Sequence, residues 1–127
     1  MVTSYIDEQL YRVTHDNGRH RFYADEPADM GGGDTAPSPD ELLEAALASC
    51  TLATLRMYTR HKGWQVGRIS ITVQLVREKE KCIISRNIRF EHPVTEAQLQ
   101  RLQQIAKACP LSRTLAAGNE LQVTIQS

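Results

Sequence analysis

Residues 38–58, SPDELLEAALASCTLATLRMY, decide how the rest of the chain must fold. Ser38 suits a helix N-cap, Pro39 suits the first helical position, and Glu41 completes an S-x-x-E capping box. No breaker follows before Gly63, so the pattern predicts one helix of about 25 residues, roughly 37 Å long. From Ala45 to Leu55 it carries no charged residue, and Cys50 stands at the middle of that run.

A helix apolar on all sides must be buried on all sides. The chain has 127 residues, which suits a single domain spanning residues 1–127. One sheet of a domain this small covers one face of such a helix and leaves the other as an exposed patch, the mark of an interface. The sequence therefore predicts an obligate homodimer.

Outside the helix, segments of period two predict strands. Residues 4–27 read as two strands joined through Asp16-Asn17-Gly18, because Asn-Gly supplies the positive φ of a tight turn. The Gly- and Pro-rich stretch ADMGGGDTAPSP reads as a flexible loop. In RISITVQLV, Ile69, Ile71, Val73 and Leu75 share a face; in KCIISRNIRFE, Cys82, Ile84, Arg86, Ile88 and Phe90 do. Cys82 is expected to be a buried spectator, and Arg86 to sit on an exposed face near a sheet edge or as a cation near the dimer core. A second helix is expected from Thr95 with a T-x-x-Q cap and with Leu99, Leu102 and Ile105 inward, stopping near Cys109 before Pro110. LSRTLAAGN adds one or two turns closed by Gly118, and ELQVTIQ reads as a last strand. The expected order is β-β-α-β-β-α-β, an α+β fold with antiparallel hairpins.

Composition narrows the function. Net charge is zero, with 15 basic and 15 acidic residues, so nothing favours nucleic acid or an anionic membrane surface. The uncharged run of 11 residues is too short to span a bilayer, which needs roughly 20. The first residues have neither a basic nor an apolar signal region, so a cytoplasmic protein with free thiols is expected. His15, His20, His61 and His92 have no metal-ligand spacing, and no metal or cofactor is expected. The GGGD loop lacks the Lys-Ser/Thr ending of a phosphate loop.

Cys50 admits two readings. Free cysteines in cores are common and inert. A reactive one needs its thiolate, which apolar burial disfavours. Cys50 lies about three turns into the helix, beyond reach of the N-terminal dipole. A reactive Cys50 therefore requires a cation brought from elsewhere.

The stretch ADEPADMGGGDTAPSPDELLEAALASCTLATLRMYTRHKGW, with KACPLSRTL downstream, resembles the OsmC/Ohr family, the osmotically inducible protein C and organic hydroperoxide resistance proteins. The resemblance rests on the P-S-P-x-E-L-L-x-A-A-L-x-x-C helix leading to L-R-M-Y, and on the later C-P. It implies the OsmC-like fold, antiparallel sheets around a long central helix, in an intertwined homodimer. It also implies a thiol peroxidase in which Cys50 attacks an organic hydroperoxide and Cys109 resolves the sulfenic acid as a disulfide. An external dithiol, in characterised relatives often a protein-bound lipoyl group, then reduces that disulfide. The family's activating arginine corresponds to Arg19, with Arg21 and Arg86 as alternatives. Where the family has its orienting glutamate, ten residues before the cysteine, this chain has Asp40, with Glu41 adjacent. That departure keeps a second function open, a non-catalytic binding protein for an apolar small molecule in the dimer cleft, or a redox sensor. A fast Cys50–Cys109 disulfide on exposure to peroxide distinguishes the two.

Overall fold

The computed structural model describes residues 1–127 and divides them into two compact units, Met1–Ala45 and Ala46–Ser127. The fold is α+β, and every strand pair is antiparallel.

The first unit holds three strands where two were expected: β1 (Thr3–Ile6), β2 (Val13–Asp16) and β3 (Arg21–Ala24), in that spatial order. The extra strand arises because the chain reverses between Ile6 and Val13, which pair, with Leu10 at φ 49°. Period-two patterning cannot show a reversal that uses no Gly, Pro or Asn. The Asn-Gly signal does mark the β2–β3 turn. Asn17 Oδ1 accepts from the amides of Arg19 (2.9 Å) and His20 (2.7 Å), and Asp16 Oδ1 accepts from Gly18 (2.6 Å). Gly18 has φ 93°, a conformation that costs glycine nothing.

The Gly-rich segment is tied down rather than loose. Buried Asp25 accepts from the Thr35 hydroxyl (2.7 Å), the Thr35 amide (3.1 Å) and the Glu26 amide (2.8 Å). A Cβ on Gly32 would lie 2.0 Å from the Glu26 carbonyl oxygen, so only glycine fits there.

Helix α1 (Pro39–Lys62) begins as its sequence predicts. Ser38 Oγ accepts from the Glu41 amide (3.2 Å), and Glu41 Oε1 accepts from the Ser38 amide (3.0 Å). It ends at Gly63, with φ 70°. Within one chain the helix buries a single stripe at four-residue spacing, Leu47, Thr51, Leu55 and Thr59, while Ala46, Ser49, Ala53 and Met57 are exposed.

In the second unit, β4 (Ile69–Arg77) and β5 (Cys82–Phe90) form a hairpin whose register pairs Ile69 with Phe90 and Arg77 with Cys82. The expected inward faces are the half-buried ones. Cys82, however, is exposed because it belongs to the last pair of the ladder. Helix α2 (Glu96–Lys107) carries the Thr95–Gln98 capping box. Its buried residues are Leu102 and Ala106, which with Leu55 form the core centre; Leu99 is exposed, contrary to expectation. Helix α3 (Pro110–Ala116) follows after a break at Cys109.

Residues 120–126 form no strand. Leu121, Val123 and Ile125 are 89%, 83% and 88% exposed. Their alternation is that of a strand, but the segment pairs with no strand of this chain. The observed order is thus β-β-β-α-β-β-α-α.

Candidate active site

Four elements of the second unit meet around two sulfurs. Cys50 comes from α1, and Cys109 is the N-cap residue of α3. The Cys50 thiol is near enough to Cys109 to favour its ionisation. Cys109 is fully buried, whereas Cys50 is half-buried and its Sγ accepts from the Leu111 amide at 3.5 Å. They lie 58 intervening residues apart and come together because α2 stops before Pro110, and the break delivers Cys109 to α1.

Arg86 of β5 supplies the positive charge. Its Nη1 donates to Thr51 Oγ1 (3.0 Å) and to the Ala106 carbonyl (3.0 Å) and lies 3.9 Å from Cys109 Sγ. Its Nη2 donates to Ser112 Oγ at 3.0 Å. None of these partners carries a negative charge unless Cys109 ionises. The expected exposed arginine at a sheet edge is therefore corrected. Parity had placed Arg86 on the inward face, and the end of α2 and the start of α3 give it neutral acceptors there.

Thr51 links the arginine to the sulfur. Its hydroxyl donates to the Leu47 carbonyl at 2.8 Å and stands 3.5 Å from Cys109 Sγ. One hydroxyl hydrogen serves both, so it can turn from the carbonyl to the sulfur as charge develops. Burial alone would push the Cys109 thiol up. The Thr51 hydroxyl, the Ser112 amide, the Cys50 thiol and the Arg86 charge outweigh it and hold Cys109 below the ordinary thiol value.

The other expected site residues lie in the first unit. Arg19 is in the β2–β3 turn, fixed through its backbone by Asn17. Arg21 is paired with Asp16 at 3.1 Å on an exposed surface. Asp40 and Glu41 occupy the first turn of α1, and the Ser38 amide and hydroxyl hold the Glu41 carboxyl below its ordinary value. Thr51 and Ser112 were not anticipated. Thr51 had a signal, its place between Leu47 and Leu55 on the buried stripe; Ser112 had none. No group of three or more metal-ligating side chains forms, and no helix is long and apolar enough to cross a membrane.

Residues 31–124 match the family model of the OsmC-like proteins, and the chain belongs to that family. The solved structures agree on the fold. A protein of Psychrobacter arcticus, described provisionally as an osmotic stress induced and detoxification response protein, superposes with TM-score 0.76 at 21% identity, covering 89% of this chain and 85% of its own. An OsmC like protein from Mycoplasma pneumoniae gives 0.73 at 19% identity, covering 91% and 86%. The organic hydroperoxide resistance protein OhrB of Bacillus subtilis gives 0.64 at 21% identity, covering 90% and 87%. Comparison with curated proteins yields no match.

Proposed function

We propose that the protein is a thiol peroxidase that reduces organic hydroperoxides to alcohols. The observation that carries this reading is the convergence of Cys50 and Cys109 at the start of α3 beside the half-buried Arg86 guanidinium. The Arg86 guanidinium and the Thr51 hydroxyl favour a thiolate at this pair. Cys50, the more accessible sulfur, attacks the distal peroxide oxygen; the O–O bond breaks, the alkoxide leaves as alcohol after taking a proton, and Cys50 becomes a sulfenic acid. Cys109 then attacks the Cys50 sulfur, hydroxide leaves as water, and the disulfide closes. An external dithiol, such as a lipoylated protein, supplies the two electrons that reopen it. These thiols must be reduced for the cycle to start, which suits the cytoplasm.

By the family resemblance Arg19 is the activating arginine, and Asp40 stands where the family has its glutamate; Glu41 is committed to the Ser38 cap. The exposed α1 face and the exposed apolar tail favour a homodimer in which a second copy covers both. The test is turnover of cumene hydroperoxide with dihydrolipoamide by wild type, Cys50→Ser and Cys109→Ser. Turnover should vanish in Cys50→Ser, and Cys109→Ser should retain a single turnover. A folded, reduced wild type that consumes no organic peroxide overturns the reading.

A groove of about 620 Å³ between β5 and α2 favours a second reading, apolar ligand binding. Leu55, Ile84, Ile88, Phe90, Leu99 and Leu102 form its apolar wall, Arg86, Glu96 and Lys107 stand among its polar residues, and neither Cys50 nor Cys109 lines it. Binding of an aliphatic ligand by the Cys50→Ser, Cys109→Ser double variant, in a wild type inert to peroxide, would decide for it.

A further inference from the structure

Two sulfurs in a disulfide are equivalent to an incoming thiol unless the protein distinguishes them. We infer that this fold makes Cys109 the leaving sulfur, so that the reducing dithiol attacks Cys50, and that Arg86 is the positioning residue for the released Cys109 thiolate. The inference rests on the disulfide step of the proposed cycle.

The asymmetry lies in what surrounds each sulfur. Around Cys109 Sγ stand Arg86 Nη1 at 3.9 Å and the Thr51 hydroxyl at 3.5 Å, with the Ser112 amide facing it. These donors come from β5, α1 and α3, three separate elements, and the guanidinium is locked by three further hydrogen bonds of 3.0 Å. They are in place before any charge appears, which is the condition for stabilising a developing anion without reorganisation. The backbone amide of Leu111, at 3.5 Å, faces Cys50 Sγ. Access runs the same way: Cys109 is 0% exposed, and Cys50 is half-buried. Thiol–disulfide exchange is faster when the leaving thiol is the more acidic and the attacked sulfur the more accessible. Both preferences select Cys50 as the target.

One thiolate of the dithiol forms a bond to Cys50 Sγ while the Cys50–Cys109 bond breaks, and Cys109 departs with the electron pair. The second thiol of the reductant then attacks its own mixed-disulfide sulfur and releases Cys50. The dithiol is oxidised to a disulfide, and the protein gains two electrons and two protons.

The experiment starts from protein oxidised by diamide, so that it does not depend on peroxide turnover. Excess glutathione is added, the reaction is acid-quenched at short times, free thiols are alkylated, and the glutathione-bearing cysteine is mapped by mass spectrometry. Glutathione on Cys50 is expected. Stopped-flow reduction by dihydrolipoamide should slow at least about tenfold in Arg86→Met and recover in part in Arg86→Lys, which keeps the charge. Glutathione on Cys109 overturns the assignment even if no Arg86 variant folds. So does an unchanged rate in a folded Arg86→Met, or failure of diamide to link the two cysteines. A protein that shows the expected regiochemistry but ignores organic peroxide keeps this assignment and loses the peroxidase reading.

Discussion

Thr51→Val separates the electrostatic role of Thr51 from its packing role. Valine has nearly the same shape but no hydroxyl, so the buried stripe of α1 stays filled. Three hydrogen bonds change. The bond to the Leu47 carbonyl is dispensable, because that oxygen is also the acceptor of the helix ladder. Arg86 loses one acceptor but keeps the Ala106 carbonyl and Ser112. The third loss falls on Cys109, whose thiolate no longer has the hydroxyl at 3.5 Å. Hydrogen bonds to charged groups contribute about 1.5–3 kcal/mol, and the length of this one favours the lower end. About 1.5 kcal/mol is a little over tenfold in thiolate population at fixed pH. The assay is ultraviolet titration of thiolate absorbance in the Cys50→Ser, Cys82→Ser background, where Cys109 is the single thiol. The Thr51→Val curve should move to higher pH. Superimposable curves from two proteins of equal circular dichroism would refute the role given to Thr51.

Other consequences concern stability and assembly. Because Cys109 ionises more readily folded than unfolded, the unfolded chain binds more protons between its lowered value and the ordinary 9.0, so stability of the reduced protein rises with pH across that window and is lost as pH falls through the folded value. Urea midpoints measured across the window should show this rise in wild type and not in Cys109→Ser. Leu55→Ala empties the fully buried centre of the core and should cost about 2–5 kcal/mol in urea unfolding; a loss below 1 kcal/mol would mean that the helices repack freely. Deleting residues 119–127 should abolish the homodimer in light scattering, and an unchanged dimer would show that the exposed tail contributes nothing to assembly.

The helices were the most legible part of the chain. Ser38-Pro39 with Glu41, Thr95 with Gln98, and the Cys109-Pro110 break each carry a local chemical signal, and each boundary falls where that signal lies. The strands were less so. Parity placed Arg86 inward on β5, but parity does not say what a side chain meets there, and the neutral acceptors of α2 and α3 are contacts between residues 20 to 26 positions apart. The turn at Leu10 has no Gly, Pro or Asn to announce it, so one expected strand became two. The final segment keeps the pattern of a strand without forming one, because pattern records what a segment can pair with, not which chain provides the edge. Of the site, the two cysteines were named from the family resemblance, and their convergence at the start of α3 is a property of the fold. Thr51 was hidden because a threonine on a buried stripe reads as packing.

The most direct test is a single turnover. Fully reduced protein is mixed with one equivalent of cumene hydroperoxide, quenched with acid and alkylated, and its cysteines are mapped by mass spectrometry. One Cys50–Cys109 disulfide per molecule of alcohol formed is expected, with Cys82 alkylated throughout. Reduced Cys50 and Cys109 beside unconsumed peroxide would contradict it.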